Sequence, residues 1–224
     1  MSVWAVLAAA GRGERLQADR PKAFAQLGGR PLLAVSLERL EASAWIDSIV
    51  VVAPPGWEEP VILLAEELGC GKVVASVAGG DSRTASVRIG VGEVADDAAA
   101  ILVHDAARPL VTGPLIERLL AALNEGWDGA IPGLSPNDTV KRVRDGAVVE
   151  TLPREELVTV QTPQAFVASV LRRALADGGE GTDCSSLVER AGGRVTVVRG
   201  DPRLQKVTTA EDLALVESWL AGES

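Results

Sequence analysis

Residues able to do chemistry stand directly behind apolar runs at three places in the chain. The first is Leu7-Ala8-Ala9-Ala10-Gly11-Arg12-Gly13-Glu14-Arg15-Leu16, followed shortly by Pro21-Lys22. Ala9, Ala10, Gly11 and Gly13 are small enough for backbone N–H groups to approach phosphate oxygens closely. Arg15 and Lys22 supply positive charge, so the segment reads as a phosphate-cradling loop. The second is Ala78-Gly79-Gly80-Asp81-Ser82-Arg83, with Ser86 in the segment that follows. Gly79 and Gly80 would let the backbone read the flat edge of a base, and Ser86 offers a hydroxyl; a plain turn with a helix cap accounts for 79–82 equally well. The third is Val103-His104-Asp105-Ala106-Ala107-Arg108-Pro109. A carboxylate on the tip of an apolar strand costs burial energy unless it binds something. A hard Mg2+ ion carried by a triphosphate is a natural partner for Asp105, and a salt bridge to Arg108 is the plainer alternative. His104 lies on the same strand, where a packed, hydrogen-bonded role is expected rather than that of a base.

Other chemistries are excluded by what is missing. A dinucleotide-binding loop would want a third glycine at position 16, where Leu16 stands, and an acidic residue closing the second strand near Ala53, where there is none. No GxxxxGK[ST] stretch occurs. Cys70 and Cys184 have no CxxC spacing and His104 is the only histidine, so neither a zinc site nor a disulfide framework is indicated. With a formal net charge of -9, the chain lacks the basic balance needed to bind nucleic acid or an anionic membrane surface. Lysine occurs only at 22, 72, 141 and 206, so a local anion site must draw mostly on arginine. The first residues run straight into an apolar strand without a basic leader or a long apolar segment, and a cytoplasmic location is expected.

The elements that must position these residues alternate. Apolar, β-branched runs at 3–9, 48–53, 73–77, 100–104 and 129–132 read as buried parallel strands. Helical spacing appears between them at 32–42, 58–68, 84–94 and 114–124. The rhythm predicts one α/β domain over 1–224, built on a doubly wound, mostly parallel sheet whose ligands bind at the carboxyl ends of the strands. It breaks at 139–151, where two extended runs flank Asp145-Gly146, a two-residue hairpin turn. A hairpin arm at about 133–156 can serve as a lid or as a limb exchanged with a second subunit. Helices at 165–176 and 185–191, a strand at 194–198 and a helix at 210–220 are expected to complete the domain.

Later in the chain come Arg154, Gln161-Thr162-Pro163-Gln164-Ala165-Phe166, Gly181-Thr182-Asp183 and Lys206-Val207-Thr208, each weak alone. Taken in order with LAAAGRGERL and PK, AGGDSRTASV, VHDAARPL, NDTVKR and KVTTAEDL, they resemble the 2-C-methyl-D-erythritol 4-phosphate cytidylyltransferases of the non-mevalonate isoprenoid pathway, from about Val3 to Trp219. The resemblance implies a Rossmann-like nucleotidyltransferase fold and a Mg2+-dependent reaction of CTP with methylerythritol phosphate. It implies that Arg15 and Lys22 stabilise charge on the α- and β-phosphates and that Gly79, Gly80, Asp81 and Ser86 form the cytosine pocket. Asp105 and Arg108 would face the methylerythritol phosphate and, for Asp105, the metal; Lys206 would contact phosphate, with Thr162 and Thr182 beside the substrate. Asp138, Thr139, Lys141 and Arg154 would lie in an arm that crosses to a partner in a homodimer. The sequence departs from the family pattern at Cys184-Ser185-Ser186, where an acidic residue followed by Ala-Ser is usual. A phosphate monoester, already largely deprotonated at neutral pH, needs no general base, which suits a chain with one histidine. The alternatives are a cytidylyltransferase for another polyol phosphate, such as ribitol 5-phosphate, and a nucleotide-binding protein without turnover.

Overall fold

The computed structural model describes residues 2–11, 13 and 20–222. The chain begins with β1 (Val3–Ala8), then a small ribbon of β2 (Gln26–Leu27) and β3 (Arg30–Pro31), then α1 (Leu32–Glu41) and β4 (Ser48–Ala53). Next come α2 (Glu58–Glu67), β5 (Val73–Ala78), α3 (Arg83–Gly92), β6 (Ala100–Asp105), α4 (Gly113–Asn124) and β7 (Gly129–Leu134). The hairpin β8 (Val140–Arg144) and β9 (Ala147–Leu152) follows, and then β10 (Thr159–Val160), β11 (Gln164–Val167), α5 (Ala168–Ala176), α6 (Cys184–Arg190), β12 (Val195–Arg199) and α7 (Ala210–Ala221).

The main sheet runs β10-β7-β11-β6-β1-β4-β5, with β12 on the other side of β7. The pairs β6·β1, β1·β4, β4·β5 and β7·β12 are parallel, as the alternating pattern predicts. Alternate residues of each central strand enter opposite cores: Ala5 and Leu7 of β1 with Ile49 and Val51 of β4 pack toward α1 and α4, while Val6, Val50 and Val52 pack toward α3 and α5. Both faces are therefore covered, which is why these strands read as unbroken apolar runs.

One expected element is different. Residues 165–167 form part of a strand, not the start of a helix: β11 lies antiparallel between β6 and β7, and helix begins only at Ala168. The gap between two parallel strands has to be filled by backbone donors and acceptors, and this tertiary demand overrides the local helical spacing. Phe166 is fully buried there, its ring where a side chain on Gly129 would otherwise be. β10 and β11 lie along the same side of β7, at Leu134 and Gly133 and at Ala130 and Gly129 respectively, so they act as one strand interrupted at Gln161-Thr162-Pro163. The ribbon β2–β3, turned at Gly28-Gly29, had no counterpart in the sequence reading.

The hairpin forms as expected, in a two-stranded sheet of its own. Asp145 and Gly146 have φ of 50° and 78°, the left-handed pair of a primed hairpin turn. Cross-strand partners interact through their side chains: Lys141 Nζ donates to Thr151 Oγ1 at 2.6 Å, and Arg142 Nη1 forms an ion pair with Glu150 Oε2 at 2.6 Å.

Candidate active site

The sheet register brings the first and third motifs together, because Ala8 at the end of β1 pairs with Asp105 at the end of β6. Ala106 N–H donates to the Ala8 carbonyl at 3.0 Å, so the loop after β1 and the turn after β6 leave the sheet side by side. The second motif arrives from β5. Gly79 N–H donates to the Ala53 carbonyl at 2.8 Å, and a side chain on Gly79 would lie 2.3 Å from the Ala10 methyl, so this approach of the two loops requires glycine. Ser82 caps α3 by accepting from Ala85 N–H, and Ser86 Oγ accepts from Gly80 N–H at 3.1 Å. The helix-cap and pocket readings of 79–86 are thus compatible. Gly13 has φ of 69°, and a side chain on it would meet the Lys22 Cβ at 2.5 Å. The loop therefore lies directly on the Lys22 stem.

These loops enclose a cleft of about 620 Å³ lined by residues that include Ala9, Ala10, Gly11, Gly13, Lys22, Gly80, Asp81, Ser86, Asp105 and Lys206. A smaller cavity of about 330 Å³ is lined by Arg108, Thr162, Gln164, Thr182 and Asp183, among others. Arg83, Asp105 and Lys206 line both. Of the sequence-predicted residues, Gly79 contributes from behind the larger cleft. Asp138, Thr139, Lys141 and Arg154 line neither cavity of their own chain, and the Arg154 guanidinium donates to the Asn137 carbonyl within the arm. Arg15 lies outside the described residues.

Asp105 is the electrostatic centre. Its Oδ1 accepts from Arg83 Nε at 3.2 Å and Nη2 at 3.0 Å, and its Oδ2 accepts from Lys206 Nζ at 2.7 Å. Burial pushes the carboxyl up, but the charges of Arg83 and Lys206 outweigh it and hold Asp105 well below the usual carboxylate range. The expected alternative partner, Arg108, is engaged elsewhere: its Nη1 donates to the Leu204 carbonyl at 2.8 Å, and its Nε is buried with no acceptor. Arg83 is the residue that sequence reasoning missed. It opens α3 and passed as part of a helix start; nothing local signals a partner 22 residues away on another strand. Its Nη1 faces Cys184 Sγ at 3.7 Å. Burial pushes that thiol up to about 11, so Arg83 meets a neutral group there, and among the described residues the carboxylate it pairs with is that of Asp105.

The interruption between β10 and β11 ties the surrounding segments together. Gln161 Nε2 donates to the Asp201 carbonyl at 2.8 Å and its Oε1 accepts from Asp201 N–H at 3.0 Å, anchoring the segment that leads to Lys206. Gln164 Oε1 accepts from Cys184 and Ser185 N–H, and its Nε2 donates to Asp183 Oδ2 at 2.7 Å. Asp183 also caps α6 through Ser186 N–H. His104 is fully buried and hydrogen-bonded, as expected.

Among the described residues no group of three or more His, Cys, Asp or Glu converges as a metal cage. The cleft offers the carboxylates of Asp105 and Asp81. One or two hard oxygen donors fit a Mg2+ that arrives on a polyphosphate and keeps most of its ligands there, rather than one caged by protein. Any such ion would have to compete with Arg83 and Lys206 for Asp105, a competition the sequence reading did not foresee. Among the described residues no helix is long and apolar enough to cross a membrane.

Comparison with known proteins finds relatives over nearly the whole chain. A family profile described as 2-C-methyl-D-erythritol 4-phosphate cytidylyltransferase matches residues 3–222. A protein of that name from Nocardia farcinica is 44% identical over 220 residues, covering 98% of this chain and 94% of the relative. One from Saccharopolyspora erythraea is 42% identical over 226 residues, covering 99% and 100%. Among solved structures, 2-C-methyl-D-erythritol 4-phosphate cytidylyltransferase from Thermus thermophilus superposes with a TM-score of 0.78 at 34% identity, covering 96% of this chain and 98% of that one. The 4-diphosphocytidyl-2C-methyl-D-erythritol synthase of Anaerococcus prevotii gives 0.86 at 27% identity, with 98% of each chain covered.

Proposed function

The chain belongs to the 2-C-methyl-D-erythritol 4-phosphate cytidylyltransferase family, and from that premise we propose how its two cavities carry out transfer of the cytidylyl group of CTP to 2-C-methyl-D-erythritol 4-phosphate, with release of pyrophosphate. The observation that carries this reading is the shared wall: Arg83, Asp105 and Lys206 line both the larger cleft and the smaller cavity. A nucleotide seated against Gly80, Asp81 and Ser86 and a polyol phosphate seated between Arg108, Thr162 and Thr182 would meet at that wall.

The nucleophile is a phosphate oxygen that is already ionised, so the protein has to align it with the α-phosphorus and offset negative charge rather than remove a proton. Lys22, held under Gly13, brings a cation to the larger cleft, and Lys206, held beside Asp105, brings one to the wall that both cavities share; Arg15 stands between Gly13 and Lys22 in the sequence. Arg108, which lines the smaller cavity, offers its guanidinium charge to an anion there. A divalent cation such as Mg2+, when bound to the triphosphate with Asp105 nearby, would supply charge neutralisation at the phosphate oxygens. We also read the arm as reaching a second subunit in a homodimer, with Asp138, Thr139, Lys141 and Arg154 serving the partner's cavity. Its exposed Val143, Val148 and Val149, and the failure of its polar residues to line either cavity of their own chain, support this.

The test is pyrophosphate release with each of the four nucleoside triphosphates against methylerythritol phosphate and ribitol 5-phosphate. CTP with methylerythritol phosphate should far exceed every other pair. Equal or greater turnover with ribitol 5-phosphate would replace the acceptor, and no release from any pair would overturn an enzymatic role.

A further inference from the structure

His104 takes no part in the mechanism above, yet it is the most completely buried titratable group beside the site. Its two ring nitrogens face two kinds of partner. Nε2 lies 3.0 Å from the Arg108 carbonyl oxygen, which can only accept, so Nε2 carries the proton. Nδ1 lies 3.1 Å from Thr162 Oγ1. In the neutral ring the second nitrogen is an acceptor, so the Thr162 hydroxyl must donate its single proton to it. The same hydroxyl oxygen accepts from the backbone N–H of Asp105 at 3.0 Å. The ring is fully buried and neither nitrogen faces a carboxylate, an environment that favours the neutral form. The charged side chains of Asp105 and Arg108 act on it in opposite senses, Asp105 favouring and Arg108 opposing its protonation.

We infer that His104 is a positioning residue that fixes the polarity of the Thr162 hydroxyl, so that toward a bound substrate Thr162 can only accept a hydrogen bond. The chain of bonds runs from Asp105 N–H to Thr162 oxygen, from Thr162 O–H to Nδ1, and from Nε2–H to the Arg108 carbonyl. With its proton committed, Thr162 is matched to a hydroxyl of the polyol and mismatched to an ionised phosphate oxygen, which brings no donor. The smaller cavity therefore discriminates between the two ends of its substrate: Arg108 attracts the phosphate, and Thr162 accepts from the carbon chain. This inference rests on the proposed acceptor for its kinetic arm, whereas the ring tautomer can be measured without any substrate.

Because His104 is the only histidine, imidazole nitrogen NMR of the whole protein reads it without assignment. The expected spectrum at neutral pH has a protonated Nε2 and a bare Nδ1, and the opposite tautomer or a doubly protonated ring would overturn the inference. The kinetic arm uses His104→Asn, whose amide oxygen can stand where Nδ1 stood, and His104→Gln, whose amide reaches the Nε2 position and leaves Thr162 free to turn its proton toward the substrate. His104→Gln should raise KM for methylerythritol phosphate about tenfold, as loss of one hydrogen bond does, with KM for CTP unchanged, and His104→Asn should largely restore it. His104→Gln added to Thr162→Val should raise that KM no further. Equal shifts in both KM values, or a fall in kcat alone for both His104 variants, would reduce His104 to packing and overturn the inference. An inactive wild-type enzyme would instead sink the proposed reaction, leaving the tautomer to decide this point.

Discussion

At the tip of β6 polar groups face partners in the same chain: both Asp105 oxygens, both His104 nitrogens and the Thr162 hydroxyl are engaged by residues from four separate segments. The β8–β9 arm is arranged the opposite way. Arg142 and Glu150 pair across the hairpin, but Val143 and Val148 stand 56% and 62% exposed and directly opposite each other in the register. An isolated two-stranded hairpin is marginal in water, whereas a fully bonded buried network stays ordered by itself. The contrast teaches that this chain satisfies the polar groups at the tip of β6 from within, while the apolar side chains of the arm are left uncovered among the described residues.

The largest test of that division removes a cation from the internal part. Lys22→Ala should lower turnover by about 10^2 to 10^3, the effect of losing one donor to developing charge, while Arg154→Ala should be nearly inactive for want of the arm contact. Mixed under subunit exchange, the two variants should recover activity, because a mixed dimer has one site with both lesions and one intact. With half the dimers mixed and half their sites intact, recovery approaches a quarter of wild type. Proven exchange without recovery would mean the arm serves its own subunit. Next in size is acid stability. His104 is buried neutral, so on unfolding it takes up a proton below its ordinary value near 6.5, and the stabilisation present above that value is lost as pH falls toward about 4. Between those limits the wild type should lose about 3 kcal/mol more than His104→Asn in denaturant titrations; parallel losses would show that the ring charges freely in the fold. The smallest effect is expected at the arm tip. Val148→Asp should change unfolding of the isolated chain by no more than about 0.5 kcal/mol. Sedimentation should show its dimer dissociating about tenfold more readily, the effect of uncovering one valine. An unchanged dimer would place the interface elsewhere.

These two regions were unequally legible in the sequence. The arm was readable residue by residue, since Asp145-Gly146 between extended runs is a local signal. So were the loop after β1 and the carboxylate at the end of β6, because an apolar run that ends in glycine or aspartate announces a strand tip. The partners of Asp105 were not readable: Arg83 and Lys206 come from segments 22 and 101 residues away, and no period in the chain links them. For the same reason 165–167 looked helical, although the space between β6 and β7 made it a strand. Gln161 and Gln164 stood in a motif that the sequence quoted, but their work as anchors of the 200–206 segment and of α6 depends on contacts that form only in the folded chain.

The distance along the chain between Asp105 and Lys206 also bears on how the protein is made. As the chain leaves the ribosome, β1, β4, β5 and β6 can pair and cover both faces while the second cation for Asp105 is still unsynthesised, and domains fold progressively as they emerge. Until the segment carrying Lys206 arrives and docks through Gln161 and Arg108, the nascent sheet holds its central carboxylate against Arg83 alone. The wall shared by the two cavities is thus completed only after the central sheet can form, and a chain cut within β12 lacks the second cation of Asp105.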